Sequence, residues 1–182
     1  MIMSDLVLLI RHCEATGQNP DALLTDRGRE QAIILAERLH DHTPKKLVSS
    51  PFTRALDSVR PLAARLKLEV ATDDRLAEWQ IMPDATSDSI ELRQVLDGTL
   101  PVPAQDEPRD DVLARVQAAL GDAWSDSARC TALVGHGKLF SVLLSDLTGR
   151  PATDIWVRLT NPDVFVLRRD ADTVGIERLW DD

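Results

Sequence analysis

The sequence predicts an α/β fold in which a mostly parallel sheet lies between two layers of helices. Two apolar segments without polar alternation, 6–10 and 130–134, have the composition of central strands covered on both faces. Other strand candidates alternate with segments of helical spacing, which is typical of doubly wound α/β folds. A chain of 182 residues buries roughly 70 % of its unfolded surface, so we expect one domain over 1–182 without a structural metal.

Two further strand and helix units are predicted in the first half of the chain. Residues 26–40 carry small and apolar side chains at helical spacing and are predicted as a helix. A short strand at 47–48 precedes a second helix, which we expect to begin with Ser50 as its N-cap and Pro51 in its first turn. A third strand is predicted over 68–71.

The second half of the chain completes the sheet. A helix is predicted over about 110–124, and a further helix opens at Gly137 after the second apolar strand. The segments 164–167 and 174–179 are predicted to form a hairpin at the edge of the sheet.

Residues 80–111 interrupt this alternation, and we interpret them as a short inserted lid, called the lid segment below. They contain four prolines, and their eight carboxylates against two arginines account for most of the formal charge of −9. Such an acidic balance argues against a nucleic-acid partner. Because like charges repel across a partly desolvated mouth, we expect a substrate with one phosphate and a neutral or cationic remainder.

The N-terminal segment predicts neither a membrane partner nor export. Its apolar run stops at Arg11, far short of the roughly 20 residues that cross a bilayer, and no basic region precedes it. Cys13 and Cys130 are too few for a disulfide framework. We therefore expect a cytoplasmic protein; the sequence gives no indication of its oligomeric state.

Chemically active side chains follow the predicted strands. Arg11 and His12 follow the first strand, Arg54 follows the second, Glu78 comes shortly after the third and His136 follows the fourth. In open α/β sheets, ligands bind beyond the carboxyl ends of the strands. We therefore expect two imidazoles, two guanidinium groups and one carboxylate to meet at one rim.

Five segments, in this order, resemble the histidine phosphatase superfamily, whose fold is phosphoglycerate mutase-like. They are LIRHCE (9–14), LTDRGREQA (24–32), SSPFTRA (49–55), LAE (76–78) and VGHG (134–137). The resemblance implies a phosphatase that acts on a small-molecule phosphomonoester through a phosphohistidine, with no metal and no cofactor.

The resemblance also implies a role for each side chain at the rim. His12 would attack phosphorus as a neutral imidazole. Arg11, Arg54 and His136 would hold the non-bridging oxygens, a task that suits permanently charged guanidinium forks. Glu78 would protonate the leaving oxygen and then activate water. Substrate contacts are further expected from backbone groups of the helix that opens at Gly137.

Two positions depart from the family pattern. Cys13 stands where the family has glycine, which predicts an oxidisable side chain beside the phosphate. Lys138 stands where many members have a second glycine, and it either adds a charge at the pocket mouth or faces solvent. The loop 16–21, beginning with Thr16, is expected to select the leaving group together with the lid segment.

Two other functions remain open at the sequence level. A phosphoglycerate mutase-type transfer is one, although the short stretch between Glu78 and His136 favours a phosphatase. A phospho-ligand binding module without turnover is the other. If Glu78 is not the proton donor, Glu14 and Asp84 are the remaining candidates.

Overall fold

A six-stranded sheet organises the part of the chain that the structure describes. The computed structural model describes residues 5–82, 85, 88–125, 128–170 and 173–180. The strands are β1 (Asp5–Arg11), β2 (Lys46–Ser49), β3 (Val70–Thr72), β4 (Cys130–Gly135), β5 (Asp163–Asp170) and β6 (Thr173–Arg178). Their order is β3-β2-β4-β1-β5-β6. Strands β1 to β4 are parallel, whereas β5 and β6 run antiparallel as the predicted hairpin at the edge.

Helices cover both faces of the sheet. They are α1 (Asp26–Arg38), α2 (Thr53–Leu66), α3 (Ile90–Leu96), α4 (Arg109–Ser125), α5 (Gly137–Thr148) and α6 (Ala152–Trp156), with 3₁₀ turns at His40–His42 and Asp74–Leu76. Helices α1 and α2 bury their apolar faces in one core cluster, and α3 to α6 bury theirs in the other.

Both faces of strand β1 are covered, which explains why polar and apolar residues do not alternate in its sequence. Val7 and Leu9 pack into the α3 to α6 cluster, whereas Leu8 and Ile10 pack into the α1 and α2 cluster. Because successive side chains of a strand point to opposite faces, both sets must be apolar when both faces are covered. The predicted three-layer α/β/α class is confirmed.

Several predicted boundaries are wrong by a few residues. Helix α2 begins at Thr53 with Phe52 as its N-cap, because the N–H of Ser50 still pairs with Val134 O of β4 at 2.8 Å. Helix α1 ends at Arg38 and a 3₁₀ turn follows. Strand β3 begins at Val70, because Lys67 adopts a left-handed conformation (φ 57°) that closes α2 first.

The lid segment is more regular and better packed than its prolines suggest. It contains α3 and the beginning of α4. Leu92, Val95 and Leu96 of α3 are buried in the core. The indole Nε1 of Trp79, directly before the segment, donates to Glu107 O at 2.9 Å. Within the described ranges, no helix is both long and apolar enough to span a bilayer.

Candidate active site

The carboxyl ends of the parallel strands bring the predicted side chains together. Arg11 pairs in register with Gly135, so His12 and His136 leave neighbouring strands side by side, with ring centroids 5.2 Å apart. Arg54, in the first turn of α2, places its Nε 3.2 Å from His12 Nε2.

His12 is held as a neutral imidazole with Nε2 unprotonated. Its Nδ1 lies 2.6 Å from Cys13 O; a carbonyl can only accept, so Nδ1 carries the proton. Burial lowers the pKa of His12 to about 3, and the nearby charges of Arg11 and Arg54 also lower it. The backbone is fixed as well, because Asn161 Nδ2 donates to His12 O at 2.7 Å. The Nε2 lone pair is therefore present throughout the physiological pH range.

The guanidinium of Arg54 is fully buried and only partly satisfied. Its Nη1 donates to Gln18 O at 3.1 Å and to Asn19 O at 2.8 Å. Its Nη2 has no hydrogen-bond partner within the described part of the chain. Since a buried donor without an acceptor is costly, Nη2 is suited to an anionic ligand.

Arg11 is arranged in a similar way on the other side of His12. Its Nη1 donates to Leu159 O at 3.0 Å and to Thr160 O at 3.2 Å, and no described residue accepts from its buried Nε. A Cβ on Gly137 would lie 3.1 Å from that Nε. Glycine at 137 thus lets the guanidinium pass close to the start of α5.

His136 completes the group, and a serine that the sequence did not mark as functional fixes it. Its Nε2 lies 2.7 Å from Ser50 Oγ. Ser50 Oγ accepts from the N–H of Phe52 at 3.2 Å and has one proton that it can donate to Nε2; in that tautomer Nδ1 is the donor. Nδ1 is buried and has no acceptor among the described residues. Burial lowers the pKa of His136 well below its usual range, with further lowering from His12.

Glu78 caps the helix that follows His136. Its Oε1 accepts from the N–H groups of Trp79 at 2.9 Å and Leu139 at 3.0 Å, and its Oε2 accepts from the N–H of Lys138 at 3.3 Å. A carboxylate is favourable at a helix N-terminus. Two N–H groups that we expected to face the phosphate therefore bind Glu78 instead.

Arg11, His12 and Glu78 line a cavity of about 260 Å³, called the His12 cavity, whereas Arg54, His136 and Gly137 are not among its described lining residues. Its wall consists of Arg11, His12, Gln18, Asn19, Glu78, Gln80, Ile81, Met82, Ala85, Leu92, Lys138 and Trp156. Thr16 is not part of this described lining: it is exposed, and its N–H bonds Leu23 O at 2.9 Å. Of the predicted loop, Gln18 and Asn19 reach the cavity instead, and no local pattern marked them.

The two other donor candidates differ from Glu78 in position. Glu14 accepts from the hydroxyl of Thr25 at 2.8 Å and is absent from the described cavity wall. Asp84 lies outside the described residues.

The composition of the lid segment predicts negative charge at the mouth of the pocket. No carboxylate of the lid segment is among the described residues that line the His12 cavity. Asp97 instead accepts from the N–H of Thr153 at 2.8 Å, and Glu107 pairs with Arg115 at 2.7 Å. Burial lowers the pKa of Lys138 in the cavity wall, whereas Asp106 of this segment acts electrostatically to raise it, so repulsion of an anionic leaving group would come from carboxylates outside the described lining.

Cys13 also lies differently from our expectation. Its side chain is fully buried in the α1 and α2 cluster, and its N–H donates to Ser58 Oγ at 2.8 Å. Burial raises the pKa of the Cys13 thiol to about 11. The thiol is therefore a packing group turned away from the His12 cavity, and its predicted ready oxidation is not supported.

Comparisons with known proteins point to one superfamily. The family model described as the histidine phosphatase superfamily (branch 1) matches residues 7–182. Glucosyl-3-phosphoglycerate phosphatase of Mycolicibacterium vanbaalenii is 36 % identical over 155 residues, which cover 75 % of this chain and 67 % of the relative. A probable phosphoglycerate mutase of Proteus mirabilis is 31 % identical over 166 residues, which cover 80 % of this chain and 76 % of the relative. A mycobacterial glucosyl-3-phosphoglycerate phosphatase, solved with inorganic phosphate, superposes with a TM-score of 0.72 at 26 % identity, covering 98 % of this chain and 97 % of that one.

Proposed function

The chain belongs to the histidine phosphatase superfamily, branch 1, and on that premise we propose that it hydrolyses a small phosphomonoester through a phosphohistidine on His12. One observation carries the proposal. Three buried nitrogen atoms near His12, namely Arg11 Nε, Arg54 Nη2 and His136 Nδ1, have no partner among the described residues, and the unprotonated Nε2 of His12 accepts from Arg54 Nε at 3.2 Å. Donors of this kind beside a nucleophilic nitrogen suit a phosphoryl group, whose oxygens would take the open donor positions.

The proposed reaction has two displacements at phosphorus. In the first, His12 Nε2 bonds to phosphorus as the bond to the leaving oxygen breaks, and the carboxyl of Glu78 supplies the proton that this oxygen needs. In the second, water bonds to phosphorus as the P–N bond breaks, and Glu78 takes the proton from water. Arg11, Arg54 and His136 stabilise the equatorial oxygens in both steps.

The substrate class follows from the size of the cavity and from the relatives. About 260 Å³ accommodates a phosphorylated metabolite rather than a macromolecule. Relatives named for glucosyl-3-phosphoglycerate support a phosphorylated sugar or sugar acid. We also propose that the protein is cytoplasmic and that its reaction needs no metal ion.

A second candidate is phosphoryl transfer of the mutase type, favoured by the similarity to a probable phosphoglycerate mutase. It differs from hydrolysis in the acceptor of the phosphoryl group. Incubation with 3-phosphoglycerate separates the two, because a phosphatase releases inorganic phosphate, whereas a mutase yields the 2-phospho isomer.

Turnover of p-nitrophenyl phosphate tests the proposed function. We expect release of p-nitrophenolate that persists in EDTA, is inhibited by vanadate and falls by at least about 10³-fold in His12→Asn. Parent activity in His12→Asn, or loss of activity in EDTA, would refute the proposal.

A further inference from the structure

The His12 cavity has a second cationic group beyond the phosphate site. Lys138 is the second residue of α5, and its side chain lines the same cavity as His12. Its Nζ donates to Ile81 O at 3.2 Å. An ammonium has three N–H donors and this backbone carbonyl is a neutral acceptor, so the group is anchored without being neutralised by that contact.

The surroundings of Lys138 favour an anionic partner. The side chain is partly buried, and burial lowers the pKa of Lys138, whereas Glu78 and Asp106 raise it. Glu78 accepts from three backbone N–H groups, so its charge is shared with them rather than directed at Lys138 alone. A partly desolvated ammonium gains most from a charged acceptor delivered into the cavity.

Apart from Arg11, His12, Glu78 and Lys138, the described lining of the cavity is neutral. Gln18, Asn19 and Gln80 offer amides, and Met82 and Trp156 offer apolar surface. Because an amide side chain can both donate and accept hydrogen bonds, these residues can bind hydroxyl groups of a substrate. Besides Arg11, which is assigned to the phosphoryl group, Lys138 is therefore the cationic side chain in the described lining that can discriminate by charge.

We propose that Lys138 binds a carboxylate on the leaving group, so that the substrates are phosphorylated hydroxy acids rather than phosphates of neutral polyols. This inference rests on the proposed function, and it reverses the preference that the charge of the lid segment predicted. Lys138 then acts as a specificity residue whose ammonium binds the acid while Arg11 and Arg54 bind the phosphoryl group.

Two matched substrates test the proposal. D-3-phosphoglycerate and sn-glycerol 3-phosphate share a three-carbon chain and a phosphorylated primary hydroxyl, and differ in a carboxylate against a hydroxymethyl group. We expect the parent protein to favour phosphoglycerate in kcat/KM by about tenfold or more, the range of one charge-assisted hydrogen bond. Lys138→Met should bring this ratio to within about twofold of unity, and Lys138→Arg should retain most of it.

A structural role for Lys138 gives a different result. Displacement of the loop at Ile81 would lower kcat/KM for both substrates by the same factor and leave the ratio intact, which would overturn the proposal. The absence of a preference in the parent protein would overturn it too. Lys45→Met, which changes an exposed lysine outside the cavity, is the matched control and should keep the parent ratio.

Equilibrium binding distinguishes this inference from the proposed function. In a His12→Asn background, the Kd values of the two phosphates can be compared by titration calorimetry without turnover. Tighter binding of phosphoglycerate that is lost in His12→Asn with Lys138→Met supports the carboxylate contact even if the parent protein hydrolyses neither compound. Equal affinities refute the contact even if hydrolysis is fast.

Discussion

Glu78→Gln should separate two roles of one carboxylate, the cap of α5 and the transfer of protons. Glutamine has the same shape, and its single carbonyl oxygen can keep the bonds from Trp79 and Leu139 that Oε1 accepts now. Its amide nitrogen would face the N–H of Lys138, which now donates to Oε2. One hydrogen bond is therefore lost, and the remaining two lose their charge assistance.

The stability cost of Glu78→Gln follows from these contacts. Loss of an N-terminal cap and of its charge near the helix dipole costs about 1–2 kcal/mol. For a domain of this size, each kcal/mol lowers Tm by about 2–4 °C, so we expect a decrease of about 2–8 °C in thermal denaturation.

The effect on catalysis should depend on the leaving group. Loss of a general acid costs about 10²–10⁴-fold, and we expect this loss in kcat/KM for glycerol 3-phosphate. The loss should be much smaller for p-nitrophenyl phosphate, because p-nitrophenolate leaves without a proton. Glu14→Gln is the matched control, since Glu14 bonds Thr25 and is absent from the described wall of the His12 cavity. Equal losses on both substrates, or none, would show that Glu78 only caps the helix.

Three further predictions concern groups around His12. Ser50→Ala removes the hydroxyl that contacts His136 Nε2 and should lower kcat by about 10–100-fold. ¹⁵N NMR of the His136 imidazole should show a change of tautomer. An unaltered spectrum together with the parent kcat would contradict the role of Ser50 in holding His136. Because burial raises the pKa of the Cys13 thiol to about 11, a thiol reagent should modify Cys13 only after unfolding; rapid modification of the native protein, located by mass spectrometry, is the contrary result. The pKa of His12 is lowered from 6.5 to about 3, so the unfolded chain binds the extra proton between these values. The free energy of unfolding should therefore fall as pH decreases below about 6.5, by up to about 1.4 kcal/mol per pH unit for this group. When the free energy of unfolding is measured by urea denaturation at several pH values, it should fall less steeply with decreasing pH in His12→Gln than in the parent protein. An identical dependence on pH in the two proteins would contradict the burial of His12.

Features that depend on the pattern of a single strand, or on the order of strands along the chain, could be predicted from the sequence. The apolar run of β1 required cover on both faces, and Val7 and Leu8 do pack into opposite clusters. The order of strand ends was enough to place His12 beside His136, because parallel strands end at the same edge.

The remaining features depend on contacts between distant segments. Ser50 has the local chemistry of an N-cap, but its N–H pairs with β4 and its hydroxyl contacts His136 across 86 positions. Gln18 and Asn19 lie in the cavity wall because their carbonyl oxygens accept from Arg54, and nothing in their own sequence predicts that contact. Glu78 was expected at the rim, whereas its capping of α5 required the relative position of two elements.

The lid segment shows why charge counts alone mislead. Its carboxylates are numerous in the sequence, yet Asp97 and Glu107 bond to the backbone of Thr153 and to the side chain of Arg115. Composition gives the net charge of a segment but not the direction of its side chains.

Capture of the covalent intermediate tests the central claim most directly. Rapid chemical quench of turnover with a radiolabelled phosphomonoester, followed by peptide mapping, should locate acid-labile, alkali-stable phosphate on His12. ³¹P NMR of the trapped protein should place the phosphoryl group on Nε2, because Nδ1 carries a proton that it donates to Cys13 O. Label on Nδ1 or on another residue, or turnover without any covalent label, would contradict the account.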